Sequence, residues 1–384
     1  MDTFSFSIPQ NIIFGWGMVE KLSEVAEEIG GNKAFIISGP HLKKIGMVDK
    51  CIEVLGENGI TCDSFTETEG NPSTDTVNKA AKKFLESGAD IIIAFGGGSP
   101  LDTAKAVAVL GTYGGDITDY EGVGRVPGKV VPMIAIPTTA GTGSEVTSFS
   151  VITDHSRNYK LTVGSEYLLP EAAILDPELI TSVPESVAAS CGVDAFVHAL
   201  EAYLSLAASP FSDMMAMRAM ELIGKNLTAY INDRGDKDAS EAMLMGSLFA
   251  GIAFSHARLG NVHAMSHPVS AFFDVPHGLA NAILLPTVVE YNEETNPEKY
   301  YDIYCCISKN PVLVDEFIPH MLVEEIRVLN SKIGIPDDLK SVGVTADKLE
   351  AMTDDAMKSG NIKVNPRYTS REDILNLYRK AYGQ

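Results

Sequence analysis

Between Lys33 and about Asp176, short apolar runs alternate with longer stretches whose apolar residues recur at helical spacing. The run KAFIIS reads as a buried strand, and MVDKCIEVLGENG as a helix stopped by glycine. A second strand, TCDSFT, precedes a helix over TDTVNKAAKKFLESG, capped at Ser73 or Thr74. The strand ADIIIAFGGGSP ends in glycines, the helix LDTAKAVAVLGT follows, and VPMIAIPTT is a further strand. Such alternation predicts a parallel sheet with helices on both faces. Past Val183 the strand signals fade. PESVAASCGVDAFVHALEAYLS, PFSDMMAMRAMELIGKNLTAYI and SEAMLMGSLFAGIAFSH carry the helical period, and Val183-Pro184-Glu185-Ser186 opens the first of them. The sequence shows no internal repeat and no low-complexity tract. The pattern predicts an α/β domain over residues 1–182 and an all-helical domain over 183–384, with the cleft between them as the expected ligand site.

A chain of 384 residues with 45% hydrophobic and 21% charged positions has the balance of a soluble globular protein. Its formal charge of −21 argues against nucleic-acid binding, which needs clustered Lys and Arg. No apolar run is read as a membrane span, and the start MDTFSFSIPQNIIFGWG lacks the basic region and apolar core of a secretion signal. The expected compartment is the cytoplasm. Five cysteines (51, 62, 191, 305, 306) show no CxxC spacing, so neither a disulfide framework nor a thiolate metal site is indicated.

Two loops carry candidate phosphate chemistry. Phe95-Gly96-Gly97-Gly98-Ser99-Pro100 lies between a strand and a helix, where glycines admit a close ligand and the helix start offers free N–H groups to an anion. Ser99 could cap that helix or bond a phosphate oxygen. The alternative is a plain strand-to-helix turn, and the GxGxxG fingerprint is absent. Pro137-Thr138-Thr139-Ala140-Gly141-Thr142-Gly143-Ser144-Glu145 follows the next strand, and its hydroxyls and glycines suit a nucleotide at the carboxyl edge of a parallel sheet.

Only eight histidines occur, and three of them, His263, His267 and His277, fall within NVHAMSHPVSAFFDVPH. Asp194 and His198 lie four apart in GVDAFVHALEAYL, on one helix face. Taken alone that pair could be a buried Asp–His hydrogen bond. With His263 and His277 it makes three imidazoles and a carboxylate, a donor set for a divalent metal, with Fe(II) and zinc both suited. His267 could be a fifth ligand, a group behind the ligands, or a proton relay, and the relay is preferred.

These motifs resemble the iron-containing (group III) alcohol dehydrogenases, over nearly the whole chain. GNPSTDTV, GGGSPLDTAKA, PTTAGTGSE, CGVDAFVHALEAYLS and GNVHAMSHPVSAFFDVPHGLANAILLP occur in that order. The resemblance implies a dehydroquinate synthase-like fold, with a dinucleotide-binding α/β domain and a helical metal-binding domain. It implies an NAD(P)-linked alcohol dehydrogenase or aldehyde reductase with Fe2+, or Zn2+, on Asp194, His198, His263 and His277. It places the cofactor against Asn71, Gly97, Gly98, Ser99, Thr138, Thr139, Thr142 and Lys160, and sets His267 near the reacting carbon. Phe254 and Phe272 or Phe273 are expected to wall the substrate site. A homodimer is implied, with a small-molecule alcohol or aldehyde as partner. Zinc enzymes of the glycerol-dehydrogenase type, cyclases of the same fold, and a metal-binding protein without turnover are the rivals.

Two departures from the family pattern stand out. Many members that prefer NAD carry Asp where this chain has Gly39; without that carboxylate, and with His41, Lys43 and Lys44 nearby, NADPH is expected to be tolerated. Where relatives read FNNASLG, this chain reads Phe254-Ser255-His256-Ala257-Arg258-Leu259-Gly260. If Gly260 interrupts the helix, Arg258 could face the substrate and favour a short acidic aldehyde such as sulfoacetaldehyde or succinic semialdehyde. If the helix runs on, Arg258 is a surface residue.

Overall fold

The computed structural model describes residues 4–6, 8 and 10–383. Among the described residues nine strands form in chain order: β1 (Asn11–Phe14), β2 (Lys33–Ile37), β3 (Thr61–Phe65), β4 (Ile91–Gly96), β5 (Gly122–Val123), β6 (Met133–Pro137), β7 (Phe149–Asp154), β8 (Tyr159–Gly164) and β9 (Ala172–Leu175). Between them run α1 (Leu22–Ile29), α2 (Pro40–Lys44), α3 (Met47–Glu57), α4 (Thr74–Ser87) and α5 (Gly98–Tyr113). Six strands make one sheet in the order β1-β9-β6-β4-β2-β3, and every pairing in it is parallel.

Alternate residues of the central strands feed two separate cores, as a sheet covered on both faces requires. Phe35, Ile37, Ile92, Ala94, Met133 and Ala135 pack with Val77, Phe84 and Val107 of α4 and α5. Ala34, Ile36, Ile91, Ile93, Ile134 and Ile136 pack on the other side with Val25 and Val54 of α1 and α3. Helix α4 is capped by the Ser73 hydroxyl, which accepts from Thr76 N–H. Outside this sheet, β7 and β8 form an antiparallel hairpin flanked by β5, an element that the strand–helix alternation did not anticipate.

The chain divides into two compact units. Residues 8–139 and 144–182 form the α/β unit, and residues 140–143 group with the helical chain from Val183 onward. The helical unit contains α6 (Glu185–Leu204), α7 (Pro210–Asn232), α8 (Lys237–Ala257), α9 (Asn261–Phe273), α10 (His277–Asn292), α11 (Pro297–Ile307), α12 (His320–Lys332), α13 (Leu349–Ala356) and α14 (Arg371–Ala381). Helix α6 packs against α7, α8 and α10. By length and composition it is apolar enough to cross a membrane, but 83% of its most apolar window is buried inside the protein, which accounts for that apolarity. Pro184 immediately precedes it, as the sequence predicts.

Between α8 and α9 the path bends by 104°. The break falls on Arg258, whose φ of 63° and ψ of −171° end α8, while Gly260 keeps a negative φ of −126°. The helix therefore stops two residues earlier than an interruption at Gly260 would place it.

Candidate active site

Within the helical unit, three elements bring two buried donors and a half-buried one to one point. Asp194 projects from α6, His263 from the first turn of α9, and His277 begins α10. One ligand atom from each lies within 4.8 Å of the others. Asp194 Oδ1 is 3.8 Å from His263 Nε2 and 3.9 Å from His277 Nε2. Two ligands at ordinary ion distances can be at most about 4.2 Å apart, and both of these separations fall inside that limit. The close approach of α10 to α6 depends on Gly278: a Cβ there would lie 2.4 Å from Ser190 O and 3.1 Å from Asp194 Cβ. Any side chain at that position would push His277 away from Asp194.

His198 is placed differently. Its ring stacks on His263 at 4.5 Å and on Phe254 at 4.4 Å. Its Nδ1 lies 3.3 Å from Gly141 O and 4.0 Å from Asp194 Oδ2, and it is not one of the three converging donors. His267, one turn along α9 from His263, has its ring 5.2 Å from that of His277 and 6.3 Å from that of His263. Phe254 lies against the site through His198, and Phe272 and Phe273 are half-buried at the end of α9.

Glu201 is a functional residue that sequence reading missed. It follows His198 on α6, is 5% exposed, and accepts from His263 Nδ1 at 2.7 Å. Val262 N–H at 2.6 Å, His263 N–H at 3.4 Å and Gly260 N–H also point at its carboxylate. Burial pushes Glu201 up to about 7, and the three backbone donors pull against that shift. Because everything facing it is a donor, the carboxylate is the form this nest holds, and His263 carries its proton on Nδ1. Nε2 is then left with a lone pair. Burial also drives His263 well below its ordinary range, so the ring is neutral and ready to ligate. Gly260 permits this arrangement, since a Cβ would sit 2.9 Å from Glu201 Oε1. Replacing Glu201 with Gln is expected to weaken metal affinity about 10–100-fold, measured by chelator competition; a change under about threefold would limit Glu201 to capping α9.

The α/β unit holds the residues expected to meet the cofactor. Helix α5 starts at Gly98 with Gly97 as its cap and no side chain closing its end, so Ser99 lies inside the first turn rather than capping it. Thr138 N–H donates to Gly96 O, which ties the second loop to the first. Thr139 lies beside Gly97, where a Cβ would be 3.3 Å from the threonine hydroxyl. Lys160 donates to Asn71 Oδ1 at 2.7 Å, and Asn71 takes a left-handed φ of 52°. Thr142 belongs to the short 140–143 segment grouped with the helical unit. Gly39 has extended backbone (φ −97°, ψ 161°), so nothing in its conformation demands glycine. Lys43 is engaged by Asp49.

Arg258 is exposed and lies against Gly360, where a Cβ would be 2.8 Å from its guanidinium. His256 is turned onto Phe6, with ring centroids 4.2 Å apart.

Comparison with known proteins agrees over both halves. Residues 9–177 match the model of the iron-containing alcohol dehydrogenases, and residues 188–382 match that of the C-terminal part of the Fe-containing alcohol dehydrogenase family. The chain is 36% identical to 1,3-propanediol dehydrogenase of Klebsiella pneumoniae over 382 residues, 99% of both chains. It is 37% identical to lactaldehyde reductase of Escherichia coli (strain K12) over 372 residues, 96% of this chain and 97% of that one. The crystal structure of sulfoacetaldehyde reductase from Bifidobacterium kashiwanohense in complex with NAD+ superposes with a TM-score of 0.89 at 28% identity, covering 100% of each chain. With this fold, these converging donors and matches along nearly its whole length, the chain belongs to the iron-containing alcohol dehydrogenases, oxidoreductases acting on CH–OH groups.

Proposed function

We propose that this protein interconverts a short-chain primary alcohol and its aldehyde, with a divalent ion held by Asp194, His263 and His277 and with NAD(H) as redox partner. The observation that carries the reading is the convergence of three donors, two of them buried and one half-buried, within 4.8 Å, with no thiolate among them. When bound, the ion supplies Lewis-acid polarisation of the C–O group, and the nicotinamide supplies or takes the hydride. Glu201 holds His263 in the ligating tautomer. His198 completes the wall of the site by stacking between His263 and Phe254, and is the further ligand that the family resemblance implies. Phe254 keeps water from the reacting carbon, and His267, beside His277, moves the proton between the alcohol oxygen and solvent. Gly97, Gly98, Ser99, Thr138, Thr139 and Thr142 cradle the pyrophosphate, with Asn71 and Lys160 at its edge. Iron is the expected ion and zinc a competitor. Family membership also supports a cytoplasmic homodimer.

A second reading, a short acidic aldehyde bound by Arg258, is favoured by the likeness to sulfoacetaldehyde reductase and disfavoured by the exposure of Arg258. One assay separates the two readings: oxidation of NADH and NADPH with neutral and acidic aldehydes of equal length, with and without added Fe(II). The first reading expects turnover on neutral aldehydes that depends on the ion. Turnover confined to the acidic series would replace it with the second. Because Gly39 brings no carboxylate toward a 2′-phosphate, NADPH should work; a preference for NADH above roughly a thousandfold, about 4 kcal/mol, would refute that.

A further inference from the structure

The helices that carry Asp194, His263 and His277 are all bonded to one short segment near the end of the chain, residues 364–369. Just past α6, Leu206 N–H donates to Val364 O at 2.8 Å. At the start of α9, Asn261 N–H donates to Asn365 Oδ1 at 3.2 Å, and Asn261 Nδ2 donates to Thr369 Oγ1 at 2.9 Å. At the far end of α10, Asn292 and Asn365 pair amide to amide. Asn365 Nδ2 donates to Asn292 Oδ1 at 2.9 Å, and Asn292 Nδ2 donates to Asn365 Oδ1 at 3.2 Å. Asn365 is 2% exposed, and its Nδ2 also donates to Arg367 O at 2.8 Å. The backbone N–H of Asn261 can only donate, so it fixes which end of the Asn365 amide faces α9.

That contact matters because of what α9 lacks. The first N–H groups of a helix have no partner within it, and Gly260 offers no side chain to cap them. Glu201 takes the N–H groups of Gly260, Val262 and His263. It leaves out Asn261, and Asn365 takes that one. The two acceptors meet at Gly260, where a Cβ would lie 2.9 Å from Glu201 Oε1 and 3.0 Å from Asn365 Oδ1. Without Asn365, the buried N–H of Asn261 loses its acceptor right beside the Glu201 carboxylate. An orphaned buried donor is costly enough to draw that carboxylate toward it. Glu201 would then turn from His263 Nδ1, the contact that holds the ring in its ligating tautomer. We propose that Asn365 is a positioning residue for the metal centre: by capping Asn261 it reserves Glu201 for His263. The inference rests on the metal reading above and adds to it a residue that acts through Glu201 rather than on the ion.

The test uses purified protein stripped of metal and titrated with Co(II), followed by the visible d–d spectrum and by competition with a chromophoric chelator. Asn365→Ala should weaken Co(II) binding about 10–100-fold and shift the d–d bands, because His263 loses its fixed orientation. Asn292→Ala removes the amide pair but leaves the contact of Asn365 with Asn261. It should therefore keep the wild-type bands and bind within about threefold of wild type. In a Glu201→Gln background, Asn365→Ala should weaken binding by less than about threefold, because two residues acting through one contact are not additive. Wild-type bands and affinity in Asn365→Ala would overturn the proposal. So would an equal loss in Asn292→Ala, or an undiminished loss on top of Glu201→Gln, and Asn365 would then only pack the helices together. Should Asn365→Ala not fold, Asn365→Ser takes its place with the same expectations, since its hydroxyl is too short to reach Asn261 N–H. His263→Ala is the control for the wider reading: if wild type takes up no Co(II), or His263→Ala binds it equally well, the metal site itself fails, whatever Asn365 does.

Discussion

His263→Ala is expected to emerge from purification without its ion and with kcat/KM lowered by at least about a thousandfold, since Lewis-acid polarisation is worth several kcal/mol and about 4 kcal/mol is a factor of a thousand. The size follows from the position of the ring. His263 is 1% exposed, is held through Nδ1 by Glu201, and presents Nε2 3.8 Å from Asp194 Oδ1. Burial keeps it neutral, so no proton has to leave before the ion binds. Removing the imidazole deletes one of three converging donors and leaves the Glu201 carboxylate without its strongest partner. Asp194→Ala should have the same outcome for a different reason, because it removes the only carboxylate among the three. Elemental analysis and steady-state kinetics measure the two losses together. An unfolding transition recorded for each metal-free protein separates loss of the ion from loss of the fold. Full turnover by a metal-free variant would end the metal hypothesis.

How much of this could be read from the chain depends on whether the partners are local. The strands β2, β4 and β6 are apolar runs buried on both faces, and their alternation with helices identifies the parallel sheet directly. The hairpin of β7 and β8 gives no such signal. FSVITD and YKLTVG mix polar and apolar residues, and their register is fixed by pairing with each other rather than by a helix between them. Strand β1 pairs with β9 across the whole unit, Asn11 opposite Ala172, a contact that no local window contains. Asp194 and the histidines were legible because unusual residue types crowd into two short stretches. Glu201 was not, since a glutamate in HALEAYL looks like an ordinary solvated helix charge until its partners 61 and 62 residues away come into place. Asn281, four residues after His277, donates to Asp194 Oδ1, but an asparagine in an apolar helix draws attention only once the histidine is known to face a site. Near Arg258 the expected break in the helix occurs, but on a different residue. Glycine was the natural choice for the break, yet Arg258 takes the positive φ, while Gly260 is small to admit Glu201.

The second large effect is expected within the α/β unit, at Lys105. This lysine is 1% exposed on α5, and its ammonium lies within 2.7–3.0 Å of Ser144 O, Ser144 Oγ and Thr147 Oγ1, and 2.8 Å from Phe149 O. Ser144 Oγ passes the contact on to Asp102 Oδ1 at 2.7 Å, and Asp102 Oδ2 accepts from Val151 N–H at 3.1 Å. One buried cation thereby ties α5, which begins at the glycine loop, to Ser144 of the second loop and to β7. Lys105→Met keeps the length and apolar stem but takes the ammonium away from two carbonyls and two hydroxyls, and its charge from beside buried Asp102. Removing one of two neighbouring buried charges costs about 3–5 kcal/mol, or roughly 10 °C in the midpoint of a unit of this size. Lys105→Met/Asp102→Asn should lose less than the sum of the single variants, because the second change removes the charge that the first abandons. Burial holds the Lys105 ammonium down at about 8 against an ordinary 10.5. The folded state therefore binds fewer protons than the unfolded chain between those values, and wild type should gain stability over Lys105→Met as pH rises through that window. Thermal and urea unfolding at pH 7 and pH 9.5 provide the measurement. A loss below about 1 kcal/mol at pH 7 would mean that water and neighbouring donors replace the lysine, and that the two loops are held together by the sheet alone.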